Sequence, residues 1–187
     1  VSNYVYKEKL SQFSSLRTAS FSVIYNGASK RSHKVEQKSL EKTGFTLLDV
    51  AGLSKWKNIE VLIRAMNILV NTRNRDDLIL KVAGDGPNRP SLEKLIKRYH
   101  LENNVFLLGY RDDIGDLLNQ ADIFVHPAYA EGFGIAVPEA MMHSLPVIVS
   151  GAGALPELVE NDVTGYIVDE SDESAWVDAI EKFYNDP

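Results

Sequence analysis

Cysteine is missing from the chain altogether, which excludes a disulfide framework, a thiol nucleophile and a cysteine-based zinc site. No apolar run approaches the roughly 18 residues that span a bilayer, and the opening VSNYVYKEKL lacks the apolar core of a signal peptide. A cytoplasmic protein is therefore expected. No serine sits in a G-x-S-x-G elbow to support a hydrolase triad. The histidines His33, His100, His126 and His143 show no metal-ligand spacing, so neither a metal site nor a cofactor is expected. His126, at a strand end before Pro127, reads as a packing residue. Positive charge is nearly missing from the second half. Residues 101–187 carry 2 Lys or Arg against 17 Asp or Glu, a balance of −15, while residues 1–100 carry 18 against 9, a balance of +9. Such asymmetry suits a basic face turned to an anionic ligand or surface, and equally suits solvated faces with uneven usage. No nucleic-acid partner is expected.

What is present describes one domain. A chain of 187 residues can build a single good core, and 44% apolar with 25% charged content is ordinary for a globular protein. Short apolar runs alternate with helical patterns, the signature of βα units around a mostly parallel sheet. Strands are predicted at Phe21 to Tyr25, Phe45 to Ala51, Leu78 to Ala83, Val105 to Leu108, Ile123 to His126, Val147 to Val149 and Gly165 to Val168. The clearest helix follows Asn58, with Ile59, Leu62, Ile63, Met66, Leu69 and Val70 at helical spacing. Others are predicted from Pro90 to Tyr99, Asp112 to Asn119, Val137 to His143, Leu155 to Glu160 and Glu173 to Tyr184. The fold class is α/β, a doubly wound, mostly parallel sheet of six or seven strands with helices on both faces, and ligands of such sheets gather at the carboxyl ends of strands. Residues 1–20 read as a polar helix or tail outside this rhythm, and Ala28 to Thr43 as a loop or exposed helix.

The most informative stretch is Glu131-Gly-Phe-Gly-Ile-Ala-Val-Pro-Glu139, two carboxylates eight positions apart across a Gly-rich turn that enters a helix. Pro138 suits a first helical turn, where its missing N–H costs no bond. Backbone N–H groups near Phe133, Gly134 and Ile135 can receive phosphate oxygens. Glu131 and Glu139 are then placed to accept hydroxyl groups, one from a sugar and the other from a ribose. Lys55 and Lys57 lie in another carboxyl-end loop, where a lysine can meet phosphate as a point charge. After the strand LILKVA, Gly84 and Gly86 invite a dinucleotide reading, but G-x-G-x-x-G would need glycine at Arg89. These glycines read as a tight turn beside a ligand.

From VIYNG to the final helix the chain resembles the donor-binding C-terminal domain of the GT-B glycosyltransferases of family 4, also called glycosyl transferases group 1. VIYNG resembles that family's interdomain link, LDVAGLSKWKN its phosphate-binding first turn, and LKVAGDGP and VFLLGY its next strand ends. The block ADIFVHPAYAEGFGIAVPEAMMHSLPVIVSGAGALPELVENDVTGYIV follows the family's most specific region almost throughout. The resemblance implies that Glu131 faces the donor sugar, that Gly134 and Ile135 hold the distal phosphate, and that Glu139 binds the ribose. It also implies that Lys57 meets the diphosphate and that Tyr110 and Arg111 stand where base contacts are made. Two positions depart from the pattern. Gly52 occupies the place of an Arg that usually precedes the phosphate Lys, for which Lys55 is expected to substitute in part, and Ser144 replaces a glycine that commonly ends the motif helix.

The resemblance further implies retaining transfer of a sugar from a nucleoside diphosphate sugar to a hydroxyl acceptor, in polysaccharide or glycolipid synthesis. A metal is not expected to take part. Residues 1–20 are expected to be the tail of a missing N-terminal acceptor domain, and residues 21–187 the nucleotide-sugar-binding domain. Peripheral association of the full-length protein with the inner face of the membrane is a further expectation. Alternatives are a non-catalytic nucleotide-sugar-binding module, half of a GT-B-like sugar-nucleotide epimerase, or a related phosphorylase. The last needs a pyridoxal phosphate lysine that no segment resembles, and Arg89 opposes a nicotinamide-dependent oxidoreductase.

Overall fold

Period-two alternation of apolar side chains organises the molecule into two cores. In a computed structural model, which describes residues 2–12, 22–28 and 44–186, six strands form one sheet. They are β1 (Phe45–Val50), β2 (Leu78–Ala83), β3 (Val105–Gly109), β4 (Ile123–His126), β5 (Val147–Ser150) and β6 (Gly165–Val168). All pairings are parallel and the spatial order is β3-β2-β1-β4-β5-β6. Leu47, Leu80, Val82, Ile123, Val125 and Ile148 point to one face and Leu48, Phe124, Val147 and Val149 to the other. A strand buried on both faces has no reason to carry polar residues at alternate positions. Hence runs such as IFVH and VIVS are buried along their whole length.

Helices close both faces. The first is covered by α2 (Ile59–Asn67), α3 (Arg89–Arg98) and α6 (Glu173–Asn185), the second by α4 (Ile114–Gln120) and α5 (Ala136–Met142). Ile59, Leu62, Ile63 and Met66 are fully buried along α2, and the stripe continues through a π turn, Ile68–Thr72, with Leu69 and Val70. Each such side chain contributes about 1.5–3 kcal/mol of burial. The last helix is stopped from fraying at its start by Asp172, whose Oδ1 accepts from the amides of Ser174 at 2.9 Å and Ala175 at 3.1 Å. Among the described residues no helix is long and apolar enough to cross a membrane.

The N-terminal helix α1 (Asn3–Gln12) buries none of its own residues, so apolar packing does not place it. Hydrogen bonds do. The Glu157 carboxylate accepts from the amides of Asn3 at 3.0 Å and Tyr4 at 2.7 Å and from the Tyr25 hydroxyl at 2.8 Å, while the Ser2 hydroxyl donates to the Gly132 carbonyl at 2.7 Å. Glu157 thus serves as a remote cap for two orphan N–H groups at the helix start.

Three expectations change. No strand forms over residues 22–25; Ile24 is 77% exposed and Tyr25 reaches sideways to Glu157, so the segment offers no buried face to a neighbouring strand. The helix expected from Leu155 to Glu160 shrinks to a 3-10 turn, Leu155–Glu157, and α4 begins at Ile114 rather than Asp112. Phe21 and most of the segment Ala28 to Thr43 lie outside the described residues.

Helix α5 ends as the sequence leads one to expect, with strain at Ser144. Leu145 donates to the Ala140 carbonyl at 3.2 Å and Ser144 to that of Met141 at 2.9 Å, a Schellman closure that puts Ser144 at φ 63. A left-handed L-residue costs roughly 1–2 kcal/mol, partly offset by the greater chain entropy that glycine loses. Ser144→Gly should therefore stabilise by about 0.5–1 kcal/mol, read as a melting temperature higher by about 1–4 °C. An unchanged or lower value would contradict strain at this position.

Candidate functional site

Strand order reverses between β1 and β4, and in an open α/β sheet the loops leaving two such strands diverge to form a crevice. Lys57 comes from the loop after β1, in the 3-10 turn Lys55–Lys57, and Glu131 from the loop after β4. The two loops are stitched together by backbone-directed bonds. Tyr129 donates to the Trp56 carbonyl at 2.8 Å, and the buried Asn58 side chain donates to the Pro127 carbonyl at 3.2 Å and the Glu170 carbonyl at 2.7 Å. A third loop backs Glu131 from below. Ala154 donates to the Glu131 carbonyl at 2.9 Å, and a Cβ at Gly153 would lie only 2.4 Å from that oxygen.

Within this frame four charged side chains follow one another. Asp49, near the end of β1, is fully buried, and its Oδ1 lies 2.9 Å from His126 Nδ1 at the end of β4. His126 Nε2 lies 3.3 Å from Glu131 Oε2, and the same oxygen accepts a short bond from Lys57 Nζ. Glu131 Oε1 turns back to the amides of Gly132 at 3.1 Å and Phe133 at 3.5 Å. The carboxylate read from the sequence as placed for ligand hydroxyls is therefore engaged on both oxygens.

Charge state follows from this geometry. Burial disfavours the His126 imidazolium, but the charge of Asp49 and the bonds to Asp49 and Glu131 outweigh it, raising the pKa to about 9. Burial likewise opposes ionisation of Glu131, and is overcome by the hydrogen bonds from His126 and Lys57, which hold it well below the usual carboxylate range. Sign therefore alternates from the sheet interior outward: Asp49 negative, His126 positive, Glu131 negative, Lys57 positive.

Beside this chain opens a cavity of about 380 Å³ lined by Val5, Asn26, Glu131, Gly132, Phe133, Gly134 and Ile135. Five of these belong to the Gly-rich turn of the sequence motif, and Val5 brings α1 to the rim. Glu139 is buried in the first turn of α5. The other expected site residues do not line this cavity. Tyr110 is 88% exposed after β3, at the edge of the sheet, and Arg111 beside it forms an ion pair with Asp113. Lys55 is exposed in the same turn as Lys57. Gly84 is explained by packing, since a Cβ there would meet the Ala51 carbonyl oxygen at 2.0 Å.

Sequence reasoning missed Asp49, Glu157 and the part played by His126. The available signal was Asp49 itself, a carboxylate inside an otherwise apolar run predicted to be a buried strand.

Together these features define a Rossmann-like α/β domain whose polar groups converge at the strand-order switch. The family model for "Glycosyl transferases group 1" matches residues 30–187. N-acetyl-alpha-D-glucosaminyl L-malate synthase of Bacillus anthracis is 29% identical over 132 residues, covering 71% of this chain and 34% of the relative. An uncharacterized glycosyltransferase, MJ1607, of Methanocaldococcus jannaschii is 34% identical over 156 residues, covering 76% and 39% respectively. Among solved structures, Anabaena Alr3699/HepE in complex with UDP-glucose superimposes with a TM-score of 0.71 at 30% identity, covering 76% of this chain and 40% of that one. The chain belongs to the glycosyl transferases group 1. It spans between a third and two fifths of the length of the relatives named here.

The alternating charges imply a pH signature. His126 has a native pKa above its unfolded value, so its contribution is whole below about 6.5 and is lost as pH rises through about 9. Glu131 has the opposite sign: its contribution is present above the unfolded carboxylate value of 4.5 and is lost as pH falls through its depressed native value. Urea unfolding should show stability falling by roughly 1–3 kcal/mol between about pH 7 and pH 10, with the fall much reduced in His126→Gln. Equal falls in both proteins would contradict a charged His126.

Proposed function

We propose that the chain is the donor-binding domain of a retaining glycosyltransferase, moving a hexosyl group from a nucleoside diphosphate sugar to a hydroxyl acceptor. Residues 1–20 then close a preceding acceptor domain and residues 21–187 form the donor domain. Polysaccharide or glycolipid synthesis at the cytoplasmic face of a membrane is the setting. The observation that carries this reading is the meeting of Lys57 and Glu131, from the loops after β1 and β4, at the mouth of a cavity walled by the Gly-rich turn. A cation for phosphate and a carboxylate for sugar hydroxyls are thus side by side. Alr3699/HepE, similar over this domain, holds UDP-glucose.

In this reading the glycosidic C–O bond breaks with its electron pair leaving on the distal phosphate. Lys57 and the amides at Gly134 and Ile135 meet that growing charge, and groups already aimed at it lower the barrier most. Glu139 takes the ribose hydroxyls, and Tyr110 and Arg111 approach the base. The acceptor hydroxyl, held chiefly by the other domain, forms the new C–O bond and passes its proton to an oxygen of the departing diphosphate. Glu131 orients the sugar. Diphosphate binding draws Lys57 off Glu131, and the oxygen so released becomes the acceptor for sugar hydroxyls.

Calorimetry with UDP- and GDP-sugars tests the reading. The chain should bind one of them, transfer nothing by itself, and lose at least about tenfold in affinity on Lys57→Ala. Lys55→Ala should weaken binding less than Lys57→Ala; no effect at all would remove Lys55 from the clamp. In the full-length enzyme, Lys57→Ala should cost about 2.7–4 kcal/mol of barrier. Gly52 is exposed, and a Cβ there would meet nothing nearer than the Asp85 carbonyl oxygen at 3.8 Å, so an arginine has room to enter. Gly52→Arg should tighten UDP or GDP binding severalfold, about one charge-assisted hydrogen bond; weaker binding would contradict a phosphate seat beside this loop.

A further inference from the structure

We propose that His126 is a positioning residue for the donor sugar, the resident cation that keeps Glu131 ionised and aimed when the donor's diphosphate draws Lys57 away. This rests on the donor-site reading above. Glu131 has two cationic partners on one oxygen, Lys57 and His126, and they differ in mobility. Lys57 is on a long flexible side chain, a quarter exposed, in a loop. His126 is 1% exposed at the end of β4, pinned on its far side by Asp49 and stacked on Phe124 at 6.2 Å between ring centroids. Only the first can follow a ligand.

A carboxylate with one cation removed in a half-buried site would regain protons or swing out, and either change spoils its orientation towards sugar hydroxyls. His126 prevents both. Asp49 makes this possible, because its second oxygen is buried with no partner, a costly arrangement unless a full positive charge lies against the first. The charged groups facing His126 are Asp49 from β1, Glu131 from the loop after β4 and Lys57 from the loop after β1. Of these only Lys57 opposes protonation of the ring, and drawing it towards phosphate strengthens the imidazolium further. Donor binding thus trades one cation on Glu131 for a firmer hold by the other.

Calorimetry with UDP-glucose and GDP-mannose, against UDP and GDP, separates the sugar's contribution from the nucleotide's. The wild-type chain should bind a nucleotide sugar more tightly than the free nucleotide, and this advantage should shrink between about pH 7.5 and about pH 9.5, as the imidazolium titrates. His126→Asn keeps an amide within reach of Asp49 but not of Glu131. It should lose about tenfold of the advantage, show no pH dependence in what remains, and bind free nucleotide within about twofold of wild type. An advantage and pH profile equal to wild type would overturn the proposal while leaving the donor site intact. Absence of binding by the wild-type chain would instead overturn the donor-site reading and the positioning role with it. Nitrogen-15 spectra of the wild-type ring give an arm independent of any variant's folding. Both ring nitrogens should be protonated near pH 7.5 with and without nucleotide sugar, and a neutral ring in either state would overturn the proposal.

Discussion

The contact between Lys57 and Glu131 is the constraint on which the site depends, because it joins two loops that leave the sheet on opposite sides of the strand-order switch. Parallel strands buried on both faces fix where those loops start, and the Asn58 and Tyr129 hydrogen bonds fix how they approach. An ion pair between exposed flexible chains is worth little. This one is half-buried and backed by a buried imidazolium, so losing Glu131 would leave two cations facing each other, whereas withdrawing Lys57 leaves Glu131 still paired with His126.

Charge alternation also explains why a buried aspartate is tolerated near the end of an otherwise apolar strand. Asp49 sits where apolar residues would pack well, and its cost is offset only through His126. The polar chain therefore transmits the geometry of the sheet to the mouth of the cavity, rather than adding stability for its own sake. The Glu157 clasp on α1 performs a similar service at the outer rim, placing Val5 beside the Gly-rich turn without burying an apolar face.

Much of the fold could be read from the sequence, and the reasons are local. Runs such as LILKVA and IFVH are short, apolar and bounded by turn residues, and β2 and β4 fall on the expected boundaries. The α2 stripe repeats at helical spacing and every member is buried. Residues 22–25 misled because Tyr25 serves long-range contacts instead, with Glu157 and, at 6.1 Å between rings, with Phe133. Of the site, Lys57, Glu131, Phe133, Gly134 and Ile135 were legible as a motif and are brought together. Asp49 and His126 were not, because their pairing depends on β1 lying beside β4, a fact of strand order that no local pattern encodes. His126 was read as packing, and it does pack against Phe124; what the sequence hid is that its two nitrogens face carboxylates.

The most direct measurement is a crystal structure of the chain with UDP-glucose or GDP-mannose bound. The donor's diphosphate is predicted to lie on Lys57 and the amides of Gly134 and Ile135, with the sugar on Glu131 and the His126 contact to that carboxylate kept. A donor seated elsewhere on the domain, or one bound while Lys57 stays on Glu131, would contradict the account.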